Sequence, residues 1–138
     1  MKPLFINTGA DDSATVARGK VIMKDFKEIT NALYQNGITI VAGTDMGFPG
    51  YSVFRELELY VESGLTPMQA IQTATITPAK VMKLDAAEGS VEIGKNADVI
   101  IVDGNPLENI REIRKVQTVI KDGNIYDPVQ LHKIAGFQ

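Results

Sequence analysis

The sequence predicts an α/β chain in which a helix, a buried strand and further helices precede a small, largely antiparallel β module. Three observations carry this. Phe26, Ile29 and Leu33 recur at helical spacing and the pattern stops at Gly37. Residues 38–42 form a continuous apolar, β-branched run of the kind that suits a strand covered on both faces. Beyond residue 84 the helical period gives way to short β-branched runs, one of them closed by Asp122-Gly123-Asn124, a hairpin signal. With 138 residues, 44% of them hydrophobic and 22% charged, the chain is long enough to bury one ordinary core.

Residues 1–23 read as an irregular N-terminal segment, because Asn7, Thr8, Gly9, Ala10, Asp11, Asp12 and Ser13 bring turn formers and few large apolar groups. Residues 24–84 follow as the helix–strand–helix part. An amphipathic helix over about residues 25–36 ends where Gly37 stands at the C′ position. The strand at 38–42 runs into Gly43-Thr44-Asp45-Met46-Gly47-Phe48-Pro49-Gly50, a loop rich in turn formers, before Val53, Leu57, Tyr60 and Val61 resume helical spacing up to Gly64. Thr66-Pro67-Met68-Gln69 offers an N-cap hydroxyl, proline at the first helical position and glutamine at N3, a capping box leading into Ala70, Ile71 and Ala74. Thr77-Pro78 repeats the threonine and proline device and predicts a short helix carrying Val81 and Met82.

Residues 85–127 form the β module. Residues 89–93 alternate, residues 97–102 are apolar and β-branched apart from Asp98, and residues 116–121 pair through the hairpin turn with Ile125 and Tyr126. Residues 128–138 close the chain as a short helix and tail, entered through Asp127-Pro128 and packed by Leu131 and Ile134.

Fourteen lysines and arginines against seventeen acidic residues give a net charge of −3 with no basic stripe, which argues against a nucleic-acid partner. No apolar run approaches the roughly 18 residues of a membrane span, and no signal peptide is evident, so no membrane partner is expected and the compartment stays open. The chain has no cysteine and one histidine, His132. A zinc-type hydrolytic site usually takes two or three imidazoles from its protein. His132 is therefore expected to be an exposed or packing residue.

Asp45 is the leading candidate for chemistry, since a carboxylate beyond the C-terminal end of a buried strand points into the crevice where α/β proteins bind ligands. Spacing alone favours the plainer role, in which Thr44 and Asp45 stabilise a turn or cap the next segment. Glu56, Glu58 and Glu62 share one helix, with Glu58 and Glu62 four apart, and read as a solvated face rather than an acid–base pair. Ser13, Ser52, Ser63 and Ser90 lack the glycine context of a nucleophile elbow, and neither glycine-containing loop matches a phosphate or dinucleotide fingerprint.

Ala42-Gly43-Thr44-Asp45, then the run from Glu56-Leu57-Glu58-Leu59 to Ser63-Gly64-Leu65-Thr66-Pro67, then Ala74-Thr75 and Pro78-Ala79, resemble the C-terminal third of metal-dependent amidohydrolases. Gly89-Ser90-Val91-Glu92-Ile93-Gly94-Lys95-Asn96-Ala97-Asp98, continuing to Asn105-Pro106-Leu107, resembles the stretch by which that superfamily returns from its barrel into a small β-sandwich. The resemblance covers about residues 24–137 and is nearest to the imidazolonepropionase-like and prolidase-like branch.

The resemblance implies the terminal βα portion of a (β/α)8 metal-dependent hydrolase barrel plus C-terminal strands of a small β-sandwich. It implies a divalent metal, zinc first, with Asp45 matching the family's aspartate after strand eight. That aspartate ligates metal and takes a proton from the water that attacks an amide or related carbonyl. Phe48 and Tyr51, on the loop after Asp45, are the substrate-mouth candidates, with a packing role as the alternative. Substrates would be small amide, cyclic amide or peptide-like molecules. The chain departs from the pattern in having no His-x-His pair and Phe54 where many relatives carry a histidine before Arg-Glu-Leu-Glu. A (β/α)8 barrel takes about 250 residues. The expectation is therefore the C-terminal piece of such an enzyme, inactive and without tightly bound metal on its own. The other reading is a non-catalytic folded module that forms a homo-oligomer or complements a partner subunit covering its exposed barrel faces; a third is that another polypeptide supplies the missing N-terminal portion and its histidines and reconstitutes an active barrel.

Overall fold

Gly37 ends the first helix as its position predicts. A computed structural model of the chain describes residues 13–45 and 51–136. Helix α1 spans Ser13–Gln35, and Gly37, at φ +77°, donates to the carbonyl of Tyr34 while Ile38 N–H donates to that of Leu33. This pair of bonds is a Schellman termination, which satisfies carbonyls the helix would otherwise leave open. The helix starts at Ser13 rather than near residue 25, so the described part of the segment predicted to be irregular, residues 13–23, is helical. Val16, Val21, Ile22 and Met23 extend the apolar pattern N-terminally, a signal that the polar cluster just before them obscured.

Helix α2, Ser52–Glu62, is followed by α3, Pro67–Thr73, and α4, Ile76–Met82. The capping box forms as predicted: Gln69 N–H donates to Thr66 Oγ1 at 3.3 Å and Thr66 N–H to Gln69 Oε1 at 2.8 Å. Thr66→Ala is expected to lower stability by about 1 kcal/mol, read from the urea midpoint at unchanged slope. The second device is placed differently. Thr75 is the N-cap of α4, and Thr77 and Pro78 lie within its first turn, where proline forgoes an N–H that has no intrahelical partner.

The β module is one antiparallel sheet in the order β1 (Val99–Val102), β2 (Val116–Lys121) and β3 (Asn124–Tyr126). Lys121 faces Asn124 across a two-residue turn in which Asp122 and Gly123 both have positive φ, +51° and +75°. That is the twist of a type I′ hairpin. Residues 89–93, predicted to alternate as a strand, form bends and turns, with Val91 and Ile93 projecting into solvent. Among the described residues no strand lies beside them, and without a ladder the alternation has nothing to bury against. The backbone turns there at Gly89, φ +88°, where a Cβ would meet the Ala79 side chain at 2.7 Å. Helix α5, Pro128–Ile134, is capped by the Asp127 carboxylate, which accepts from Val129 N–H at 2.9 Å. Leu131 is half-buried but Ile134 is exposed, correcting the expectation that both pack.

Leu57 of α2 and Ile110 and Ile113 of the 3₁₀ helix Ile110–Arg114 form the buried cluster, with Ala42, Phe54, Tyr60, Val61, Ile71 and Ala74 against it. The core therefore lies where α2, α3 and the 3₁₀ helix meet. Residues 38–42 correct the prediction of a strand buried on both faces: Ile38 is 53% and Val41 39% exposed, and among the described residues no strand pairs with them. β-branched composition makes a segment suited to a sheet, but pairing requires neighbours on either side. No helix among the described residues is long and apolar enough to cross a membrane.

Candidate functional site

Residues 38–45 leave α1 and cross between α2 and α3, where the amides of residues 42 and 43 each donate a hydrogen bond to a different helix. Ala42 N–H donates to the Thr73 carbonyl at the end of α3, at 2.9 Å. Gly43 N–H donates to Glu56 Oε1 on α2, also at 2.9 Å. Asp45 follows two residues later with φ +41°, a left-handed conformation that aspartate tolerates better than most residues. Its side chain is exposed. The sheet-end aspartate predicted from the sequence thus sits at the end of a pinned segment rather than of a paired strand.

Glu56 is built into this pin. Tyr60, one helical turn on, donates its hydroxyl to the same Oε1 at 2.5 Å, and burial followed by the adjoining carboxylate raises the phenol above its ordinary range. Glu56 Oε2 is inaccessible to solvent and has no hydrogen-bond partner among the described residues. The solvated-face reading of α2 is corrected here for Glu56 and more strongly for Glu58, which is 5% exposed. Glu58 accepts from Arg114 Nε at 2.6 Å and from Arg55 at 3.0 Å. Arg55 also reaches Glu62 at 2.8 Å, and Lys27 of α1 reaches Glu62 at 3.1 Å. An alternating chain of charges thereby joins α1, α2 and the 3₁₀ helix, and Arg55 screens the two like-charged glutamates from each other. The Arg114 hydrogen bond, outweighing burial, holds the Glu58 carboxyl below its ordinary range; Arg55 and then Lys27 do the same for Glu62.

Phe48 lies outside the described residues. Tyr51, just before α2, has its ring centroid 5.5 Å from that of His132 on α5, tilted by 34°, so the sole histidine packs against the predicted mouth residue. Asp45 and Tyr51 flank residues 46–50. Glu56, Tyr60 and Arg114 are the residues that spacing alone did not single out for this region. The four-residue interval between Glu56 and Tyr60 was a usable signal, since it places both on one helix face.

Among the described residues no three of the His, Cys, Asp and Glu side chains gather as a cluster able to hold a metal ion. A catalytic zinc takes three protein ligands, so Asp45 with its described surroundings does not amount to a metal centre.

Comparison with known proteins gives a consistent result. Residues 14–126 match the model of the Amidohydrolase family. The ochratoxinase of Aspergillus niger is 39% identical over 95 residues, covering 65% of this chain and 20% of that protein. The imidazolonepropionase of Brevibacillus brevis is 33% identical over 101 residues, covering 67% of this chain and 24% of that protein. Among solved structures, a Xaa-Pro dipeptidase with methionine bound in its active site superimposes with a TM-score of 0.68 at 39% identity, covering 73% of this chain and 25% of that one. The chain thus spans about a fifth to a quarter of the length of these relatives.

Proposed function

The chain belongs to the amidohydrolase family, and on that premise we propose that it is the C-terminal portion of a metal-dependent enzyme hydrolysing carbon–nitrogen bonds in amide, cyclic amide or dipeptide-like substrates. The family is generally metal-dependent. In this reading residues 24–84 supply the last helix–strand–helix part of a (β/α)8 barrel, with residues 38–42 pairing as its strand only against the rest of the barrel, residues 85–127 the C-terminal strands of a β-sandwich, and residues 128–138 a short helix and tail. Asp45 is the chain's contribution to the reaction centre, as a ligand to a divalent ion, zinc first, and as a proton acceptor. Phe48 and Tyr51 line the substrate mouth.

The observation that carries the reading is the placement of Asp45 at the end of a segment pinned between α2 and α3. It lies within the stretch that matches the family. The described residues do not form a metal cluster, so in this reading the remaining ligands belong to the rest of the barrel. The apolar surface agrees. Phe26, Ile29 and Leu33 of α1 are 60%, 54% and 45% exposed, and with Ile38 and Val41 they leave a hydrophobic face for the remaining barrel to cover.

The test is to prepare the chain alone and joined to the N-terminal three quarters of a related amidohydrolase. Metal content is then measured by elemental analysis and turnover on a panel of dipeptides and cyclic amides. The chain alone is expected to hold far less than one divalent ion per molecule and to show no turnover; the joined protein regains both. One tightly held ion in the chain alone, with hydrolysis that Asp45→Asn abolishes, overturns the reading. Stable homo-oligomers of the chain that the N-terminal part does not dissociate favour the non-catalytic module instead.

A further inference from the structure

We propose that Glu56 is a positioning residue for Asp45: its carboxylate, held by Tyr60, clamps the Gly43 amide and thereby fixes the backbone that presents Asp45. This rests on the reading of Asp45 as the chain's contribution to the reaction centre, and extends it to a residue that the reaction itself does not touch.

The geometry is specific. Glu56 Oε1 accepts twice, from Gly43 N–H at 2.9 Å and from Tyr60 Oη–H at 2.5 Å. The two donors come from different elements, so the carboxylate ties residues 38–45 to α2. A hydrogen bond to a charged acceptor is stronger than a neutral one, and Tyr60 keeps the carboxylate in one rotamer. On the other side Ala42 N–H is tied to the end of α3 through the Thr73 carbonyl. Two successive amides are therefore anchored on two helices, with Thr44 alone between them and the left-handed Asp45. A positive φ at a non-glycine residue is held against its own strain only where the surroundings determine it.

Glu56 Oε2 adds a second observation. It is buried with no partner among the described residues, a costly arrangement for a side chain whose neighbours Glu58 and Glu62 are both satisfied by arginine. A residue kept there only for helix stability has no need of a buried, unpartnered carboxylate oxygen. A residue kept to hold the Gly43 amide needs an acceptor at Oε1 and retains the second oxygen as its consequence.

The experiment is amide exchange and backbone NMR of the full chain, with Glu56→Ala, Glu56→Gln and Tyr60→Phe. In Glu56→Ala the Gly43 amide is expected to exchange about 10- to 100-fold faster, with α2 amides changed much less. The 13Cα shift and three-bond HN–Hα coupling of Asp45, which report its φ, move toward averaged values. Glu56→Gln, which keeps a carbonyl acceptor, restores both signatures. Tyr60→Phe leaves the Gly43 bond but frees the carboxylate rotamer and gives an intermediate effect. Unchanged Gly43 exchange in Glu56→Ala overturns the proposal, as does faster exchange with the Asp45 signature intact. Uniform acceleration across α2 in all three variants assigns Glu56 to general stability and also overturns it. None of these readouts depends on turnover, so they separate the clamp from the hydrolase reading itself.

Discussion

In a polypeptide joining this chain to the rest of a barrel, Asp45→Asn is expected to slow amide hydrolysis by about 10²- to 10⁴-fold, the range for loss of a positioned proton acceptor. Asparagine preserves size and the tolerance for a left-handed backbone, so the Asp45 conformation at φ +41° survives the change. What disappears is an oxygen able to take up a proton, together with the negative charge of a metal ligand, so turnover is compared at equal metal content. The loss should fall on kcat with KM little altered, as expected for an interaction made in the transition state alone. Asp85→Asn, a carboxylate beyond α4 on a separate shallow crevice, serves as the control and should leave turnover unchanged. Equal losses in both variants would mean that the effect is structural and not chemical.

Arg114→Ala is expected to destabilise the chain by about 2–3 kcal/mol at pH 7, below the usual cost of breaking a fully buried pair because Arg55 remains as a partner. Arg114 donates to Glu58 at 2.6 Å, and Glu58 is nearly inaccessible, so removing the guanidinium leaves a buried carboxylate with Arg55 as its one remaining described charge partner. The pH dependence follows from the sign of the shift. Glu58 is held below its ordinary range in the folded chain, so its ion pairs stabilise fully above the unfolded carboxylate pKa of about 4.3 and are lost as pH falls through the folded value. The variant lacks most of that contribution, and its under-compensated carboxylate is relieved by protonation in acid. The difference between wild type and Arg114→Ala should therefore shrink as pH falls below that range, measured by urea titration at pH 7 and in acid. A difference independent of pH would place the loss in the packing of the 3₁₀ helix.

The local devices were legible because each is written in a few neighbouring residues. Gly37 ends α1, Thr66 and Gln69 close a capping box, and Asp122-Gly123 turns the hairpin, all where the sequence places them. Asp45 was legible as a position, a carboxylate after an apolar β-branched run. Its surroundings were not. Glu56 lies 13 residues from the amide it holds, and Arg114 lies 56 residues from Glu58. Helical spacing put the three glutamates on one helix but could not say that the 3₁₀ helix and residues 42–43 would come to rest against it.

By itself, then, the sequence carried the family in ordered motifs spread along the chain, and it determined the terminations and caps of its helices and the hairpin, because steric and hydrogen-bonding preferences within a turn act over a handful of residues. Only the tertiary structure decided that residues 38–42 carry no strand pairing among the described residues, that residues 89–93 bend, and that two of the α2 glutamates turn inward. A ladder and a buried ion pair each need a partner brought from elsewhere in the chain. Whether that partner is present is settled by packing, where the desolvation of a carboxylate is offset only by the charge or donor that meets it.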